Sequence, residues 1–178
     1  FCAAALAAGA LAFAASVQEP VMPVPTAEHR EITRSAGEWH GTLTMSMPGM
    51  PSEPVAAKET VVAIGGFWAQ TRFECDFMGM PYVGTGITGY DPEKGKYIGT
   101  WADGFSSYLA IMEGEKDERG RIVMRWQAPD MTGTMAPHRY VLEQEENSYK
   151  STFFTSGEKT MVIEAGLSPL AFGPAPPA

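Results

Sequence analysis

Four sets of residues belong to types that carry chemistry elsewhere, and spacing decides what each does here. Gly84, Gly86 and Gly89 make a G-x-G-x-x-G. A phosphate-cradling loop of that form must lie between a strand and a helix, so that the helix N-terminus faces the anion. The next residues are Tyr90-Asp91-Pro92-Glu93-Lys94-Gly95-Lys96-Tyr97, a reverse turn with Pro early and Gly late, so no dinucleotide site is expected. Bare glycines such as Gly84 and Gly86 within a strand instead mark a bend, a bulge or room for something bulky: a neighbouring ring, with Tyr97 or Trp101 as candidates, or alternatively a ligand. Cys75 stands between Glu74 and Asp76. Thiol activation needs a cation or a helix N-terminus, and carboxylates have the opposite effect, so a buried inert cysteine is expected. Glu74 and Asp76 share a strand face, where two carboxylates are more often solvated than paired for acid–base work. Met45, Met47, Met50, Met78 and Met80 cluster in MSMPGM and MGMP. Thioethers suit Cu(I), but His29, His40 and His138 are scattered without ligand spacing, and methionine also fills irregular apolar gaps. Ser106-Ser107 lacks the glycine elbow of a serine nucleophile. Haem would need an axial histidine, for which only His40 and His138 lie in strand pattern.

These residues need a scaffold, and from Gly37 onward the apolar pattern has period two. It predicts strands over Trp39–Met47, Ala57–Ile64, Phe67–Phe77, Pro81–Tyr90, Lys96–Asp103, Ser106–Glu115, Arg121–Gln127, Pro137–Gln144, Tyr149–Thr155 and Lys159–Ala165. Turn residues join them: Gly65-Gly66, Asp91 to Gly95, Asp117 to Gly120, Glu146-Asn147 and Ser156-Gly157-Glu158. About ten consecutive hairpin-linked strands would leave two long edges in an open sheet, and closure removes them. The expected fold is therefore all-β, a single antiparallel up-and-down barrel. One short helix over Ala27 to Ala36 precedes it, capped by Thr26, with Ile32 inward and Gly37 as its stop.

The chain has 178 residues and a formal net charge of −8. That length suits one domain, and that charge argues against nucleic acid or an anionic membrane surface as partner. Residues 1–14 carry no charge and read as the remnant of a secretory signal, with Ala12-Phe13-Ala14 as the small-x-small site. Residues 15–26 form a Pro-rich linker, 27–166 the barrel domain, and 167–178 a Pro-rich tail expected to be disordered. The expected location is periplasmic or secreted, with no integral membrane segment in the mature chain. Cleavage would leave Cys75 without a disulfide partner.

Gly37-Glu38-Trp39-His40-Gly41, a helix followed by Gly-x-Trp, resembles the opening of lipocalins and other calycin barrels. Met78 to Pro81, Gly89 to Asp91, Tyr97, Trp101 and Asp103 extend the likeness to a bacterial calycin-like family of unknown function. The resemblance covers most of Ala27 to Ala165 and implies a barrel with an apolar ligand. It supplies no reaction. The final strand lacks the arginine that covers the first-strand tryptophan in lipocalins and offers only Lys159.

The leading functional expectation is non-covalent binding of a small apolar or lipid-like molecule in the barrel, without a cofactor. Parity and size nominate Phe73, Phe77, Tyr82, Trp101, Tyr108, Met112 and Trp126 as its lining. Trp101 and Trp126 are expected on strands flanking that of Met112, all facing one volume. The alternatives are a filled structural or protein-interaction barrel, and an enzyme for which Asp103 and His138 are the first polar groups to test.

Overall fold

The computed structural model describes residues 21–46, 53–77 and 79–167. The expected signal remnant, most of the linker, all of the tail after Leu167, and Met47, Met50 and Met78 lie outside the described residues. Helix α1 (Ala27–Thr33) is followed by ten strands: β1 (Gly37–Met45), β2 (Val55–Ile64), β3 (Trp68–Phe77), β4 (Met80–Asp91), β5 (Lys96–Asp103), β6 (Ala110–Lys116), β7 (Ile122–Pro129), β8 (Met135–Gln144), β9 (Ser148–Thr155) and β10 (Glu158–Leu167). Each strand pairs antiparallel with its sequence neighbours, and β1 pairs with β10 to close the barrel. The expected up-and-down barrel is what forms.

Closure depends on a close backbone approach. Gly41 pairs with Ala165 across the β1–β10 seam. A Cβ at Gly41 would lie 1.9 Å from the carbonyl oxygen of Glu164, so the seam at this point admits glycine alone. With the sheet closed, each strand sends alternate side chains inward. Trp39 and Leu43 of β1, Ala57 and Val61 of β2, Ala69 and Phe73 of β3, and Tyr97 of β5 are buried members of that inward set.

Helix α1 packs against β2, β3 and β4 at one end of the barrel. At seven residues it is too short to hold itself, and its contacts show what holds it. Ile32 and His29 are buried, and the His29 ring meets Phe67 and Tyr90 edge-on, with centroids 5.1 and 5.8 Å away. Glu31 Oε2 accepts the Tyr97 hydroxyl at 2.8 Å and pairs with Lys116 at 2.8 Å. The helix stops three residues before the expected Ala36. Ser35 Oγ donates back to the Ile32 carbonyl at 2.6 Å, while Ser35 N and Ala36 N bond three residues back, which tightens the last turn.

Trp39 fills the space beneath this helix. It is 2% exposed, its Nε1 donates to the Ser35 carbonyl at 2.8 Å, and its ring meets Tyr149 edge-on at 5.3 Å. The missing arginine finds no substitute in Lys159, which is exposed at the opposite rim. The residue that faces Trp39 across the seam is Leu167. Trp39→Ala should cost about 3–5 kcal/mol of stability, the range for removing a buried large aromatic; a thermal melt that barely moves would refute this packing.

The expected strand from Ser106 to Glu115 needs correction, because β6 begins only at Ala110. Asp103 Oδ1 accepts the amide of Phe105 at 2.9 Å, and Ser106 Oγ accepts that of Tyr108 at 3.0 Å. These side-chain turns divert the backbone from the ladder and leave 104–109 as a loop over the rim away from the helix.

Candidate functional site

The barrel has two unlike ends. One is closed by α1 and Trp39. At the other, Phe105 leans over the rim against Phe77 and Tyr82, with ring centroids 6.0 and 5.3 Å apart. Between these ends the inward side chains form two buried clusters. One gathers Ile32, Trp39, Val61, Tyr97, Met112 and Met124; the other consists of Leu43, Ala57, Phe73 and Ile163. Trp101 and Tyr149 pack against both.

The inward side chains are not all buried. Cys75, Tyr82, Trp101, Trp126, His138, Tyr140, Tyr149 and Phe153 all lie on the inward parity of their strands, yet each keeps solvent-accessible surface. Four of their rings form a continuous aromatic wall from β7 to β9. Trp126 stacks on His138 at 5.3 Å and tilts against Tyr140 at 6.4 Å, and Tyr140 meets Phe153 at 5.4 Å.

Trp101 explains two of the three glycines. A Cβ at Gly84 would lie 2.2 Å from the Trp101 ring, and one at Gly86 would lie 2.8 Å from it. The ring therefore lies flat over β4, where its Nε1 donates to the Tyr82 hydroxyl at 3.3 Å. Gly89 faces outward under Trp68. Strand β4 runs through all three glycines into a turn, as the sequence predicts. Gly84→Ala should displace Trp101 and cost about 1–3 kcal/mol, the usual range for overpacking; an unchanged melting point with unchanged indole emission would contradict the stacked geometry.

Of the expected lining residues, Phe73 and Met112 are buried in the two clusters, and Phe77, Tyr82, Trp101 and Trp126 are half-buried on the inward face. Trp101 and Trp126 do flank the strand of Met112. Tyr108 is the exception: it sits in the 104–109 loop and is 40% exposed, so it belongs to the rim and not to a strand. Cys75 also departs from expectation, being half-buried rather than buried. Desolvation, with the Asp76 charge behind it, pushes its thiol above the ordinary range, so it is no activated nucleophile.

The other polar candidates have structural partners. Glu74 pairs with Arg72 at 2.9 Å on the outer face, and Asp76 Oδ1 accepts the amide of Gly79 at 2.7 Å. His40 is exposed and pairs with Glu38 at 2.8 Å. His138 Nε2 lies 3.1 Å from the Ala128 carbonyl, to which it must donate, and Nδ1 lies 3.1 Å from Thr155 Oγ1. No hydrogen bond or ion pair joins His138 to Asp103 among the described residues. Met45 packs against the second cluster, and Met80 is exposed. Among the described residues, no group of three or more His, Cys, Asp or Glu is placed to hold a metal ion.

Sequence reasoning missed the most unusual group in the lumen, Glu59. It lies on β2 between the inward residues Ala57 and Val61, and it pairs in register with Trp39 on one side and Phe73 on the other. The Tyr149 hydroxyl donates to its Oε2 from β9, across β10 and β1. Gly41 and Ala165, the small pair at the seam, leave room for that reach. Burial holds the Glu59 carboxyl above the ordinary carboxylate range, only partly offset by the Tyr149 hydrogen bond. Burial, followed by the field of Glu59, pushes the hydroxyls of Tyr149 and Tyr140 upward in turn. The signal for Glu59 was available in the alternation of Ala57-Lys58-Glu59-Thr60-Val61.

Because Glu59 binds its proton more tightly when folded, the ionised form weakens the fold. That cost is absent below the unfolded pKa and grows as pH rises towards the folded pKa. Glu59→Gln should therefore raise the melting temperature at neutral pH, with the gain vanishing in acid below the ordinary carboxylate range. A gain that persists at acid pH, or a loss at neutral pH, would contradict the burial.

Two grooves mark the outer wall. One, of about 300 Å³, crosses β1 to β4 over His40, Lys58, Glu74 and Val83. The other, of about 450 Å³, lies over Arg125, Arg139 and Phe154. The named side chains lie on the outward parity, although Ala57, Cys75 and Tyr82 also line the first groove and Trp126 and His138 the second. No helix among the described residues is long and apolar enough to cross a membrane.

Fold and lumen together define a closed ten-stranded antiparallel barrel, plugged by a helix at one end and lined by aromatic rings within. Residues 24–165 match the model of a family described as a protein of unknown function, DUF1579, and the chain belongs to that family. Comparison with curated proteins finds no match.

Proposed function

We propose that this barrel binds a small, largely apolar molecule non-covalently in its lumen, as a calycin-like carrier would. The observation that carries this reading is the set of inward-facing rings, Tyr82, Trp101, Trp126, Tyr140 and Phe153, that keep accessible surface inside a closed sheet. A lumen filled for structure alone would bury them. Apolar surface left open inside a protein is stabilised by any apolar occupant, at about 25 cal/mol per Å² removed from water, before the costs of ordering. The rim opposite the helix suits entry, because Met80, Phe105, Tyr108, Leu109 and Met135 expose apolar surface there.

The apolar start of the sequence supports export to the periplasm or beyond, and the acidic balance of the chain suits a soluble carrier. Catalysis is disfavoured by the structural engagement of both His138 nitrogens.

The test is to titrate the full chain with a neutral environment-sensitive dye such as Nile red. Saturable one-to-one binding with a shift in indole emission is expected, and Trp101→Ala should weaken it several-fold. If nothing binds the unmodified protein and the substitution only lowers its melting point, the lumen is core and the barrel structural.

A further inference from the structure

The lumen contains a carboxylate, and its surroundings specify what would complete it. Glu59 Oε2 is engaged by Tyr149, whereas Oε1 has no hydrogen-bond or ion-pair partner among the described residues. Every described side-chain nitrogen and oxygen sealed from solvent has a partner, so Oε1 must border accessible space. Glu59 is nonetheless deeply enclosed by protein, and the space it borders is therefore interior. The Tyr140 hydroxyl, likewise without a hydrogen-bond partner among the described residues, borders interior space by the same reasoning and feels the Glu59 charge. Tyr149, Trp39 and Tyr140 place aromatic rings around this point.

No cation among the described residues answers the carboxylate from inside the barrel. On the described strands, Lys116 alone among lysines and arginines shares the inward parity, since the β10 bulge turns Lys159 outward opposite Phe154. Lys116 lies exposed at the helix-end rim and is paired to Glu31. An anionic head would meet a like charge here and no counter-ion. A cationic head would meet a carboxylate oxygen awaiting a donor and ring faces that attract cations. The net charge of −8 favours its approach.

We infer that the preferred ligand of the lumen is an amphiphilic amine, its protonated head donating to Oε1 of Glu59 among Tyr149, Tyr140 and Trp39, and its apolar tail directed along the aromatic wall towards the rim. This rests on the lumen reading above and narrows it to one ligand class. The geometry allows a tail of moderate length, since Glu59 lies about 13 Å along β2 from Val55 at the open end.

The experiment compares octylamine, octanol and octanoate on the full chain at pH 7.5, read by displacement of Nile red and by calorimetry. Octylamine should bind at least tenfold more tightly than either of the others, and Glu59→Gln should abolish that preference while leaving dye binding intact. The unmodified protein supplies a second arm. As pH falls through the titration of Glu59, octylamine affinity should fall while octanol affinity holds. The titratable groups facing Glu59 are Tyr149 and Tyr140, which remain neutral over that range. The imidazole of His138, farther along the wall, is controlled for by His138→Gln. Dye binding with equal affinity for the three amphiphiles, with octanoate tightest, with no displacement by octylamine, or with a preference that survives Glu59→Gln overturns the inference and leaves the lumen reading standing. Failure of the dye itself to bind removes both. If Glu59→Gln does not fold, the pH dependence of the unmodified protein decides alone.

Discussion

Pairing of β1 with β10 is the constraint on which the rest of the structure depends. An open meander of this length would leave two strands with unpaired amides and carbonyls. Closing them together fixes which side of every strand faces in, because the side-chain period is two and a slip of one residue would invert a whole strand. The seam is held in register by Gly41 against Ala165, where the backbones approach too closely for any side chain at Gly41. The same closure brings β9 within reach of β2, where the Tyr149 hydroxyl meets Glu59.

The two ends derive from this arrangement. Residues just before the seam fold into α1, which has no independent stability and is retained by Trp39, Tyr97 and Lys116. The opposite end has no such plug among the described residues, and the loop of Phe105 covers only its edge. Between them the interior is neither an oil-like core nor a channel. Two packed clusters anchor it, and a wall of half-buried aromatic rings runs from β7 to β9 beside them. A buried carboxylate weakens a fold unless something compensates it. Its retention beside aromatic rings is the kind of local conflict expected where a protein binds something.

Much of the scaffold was legible in the sequence. Alternation located every strand and reproduced the bounds of β5, Lys96–Asp103. Trp101, which lies over Gly84 and Gly86, was one of two rings that the bare backbone of that strand nominated, Tyr97 being the other. The misreadings have specific causes. Ser106 and Tyr108 fit the alternation but are held in a loop by hydrogen bonds from Asp103 and Ser106, and periodicity does not register such bonds. Cys75 stays half-buried beside Leu43, Ala57, Phe73 and Ile163, a tertiary fact that no local pattern encodes. Glu59 was overlooked although its parity was plain, because a charged residue in a strand is ordinarily assigned to the solvent face. Its partner Tyr149 lies ninety residues away.

The central claim is that this barrel holds a carboxylate in an accessible interior, and carbon-detected NMR titration of the Glu59 side chain in the ligand-free protein tests it most directly. The carboxyl carbon should titrate above the ordinary carboxylate range, apart from surface groups such as Glu38 and Glu74, which neighbouring cations hold below it. Removing the hydrogen bond with Tyr149→Phe should move Glu59 higher still. A Glu59 that titrates with the surface carboxylates and ignores Tyr149→Phe would place it in bulk water and contradict the account.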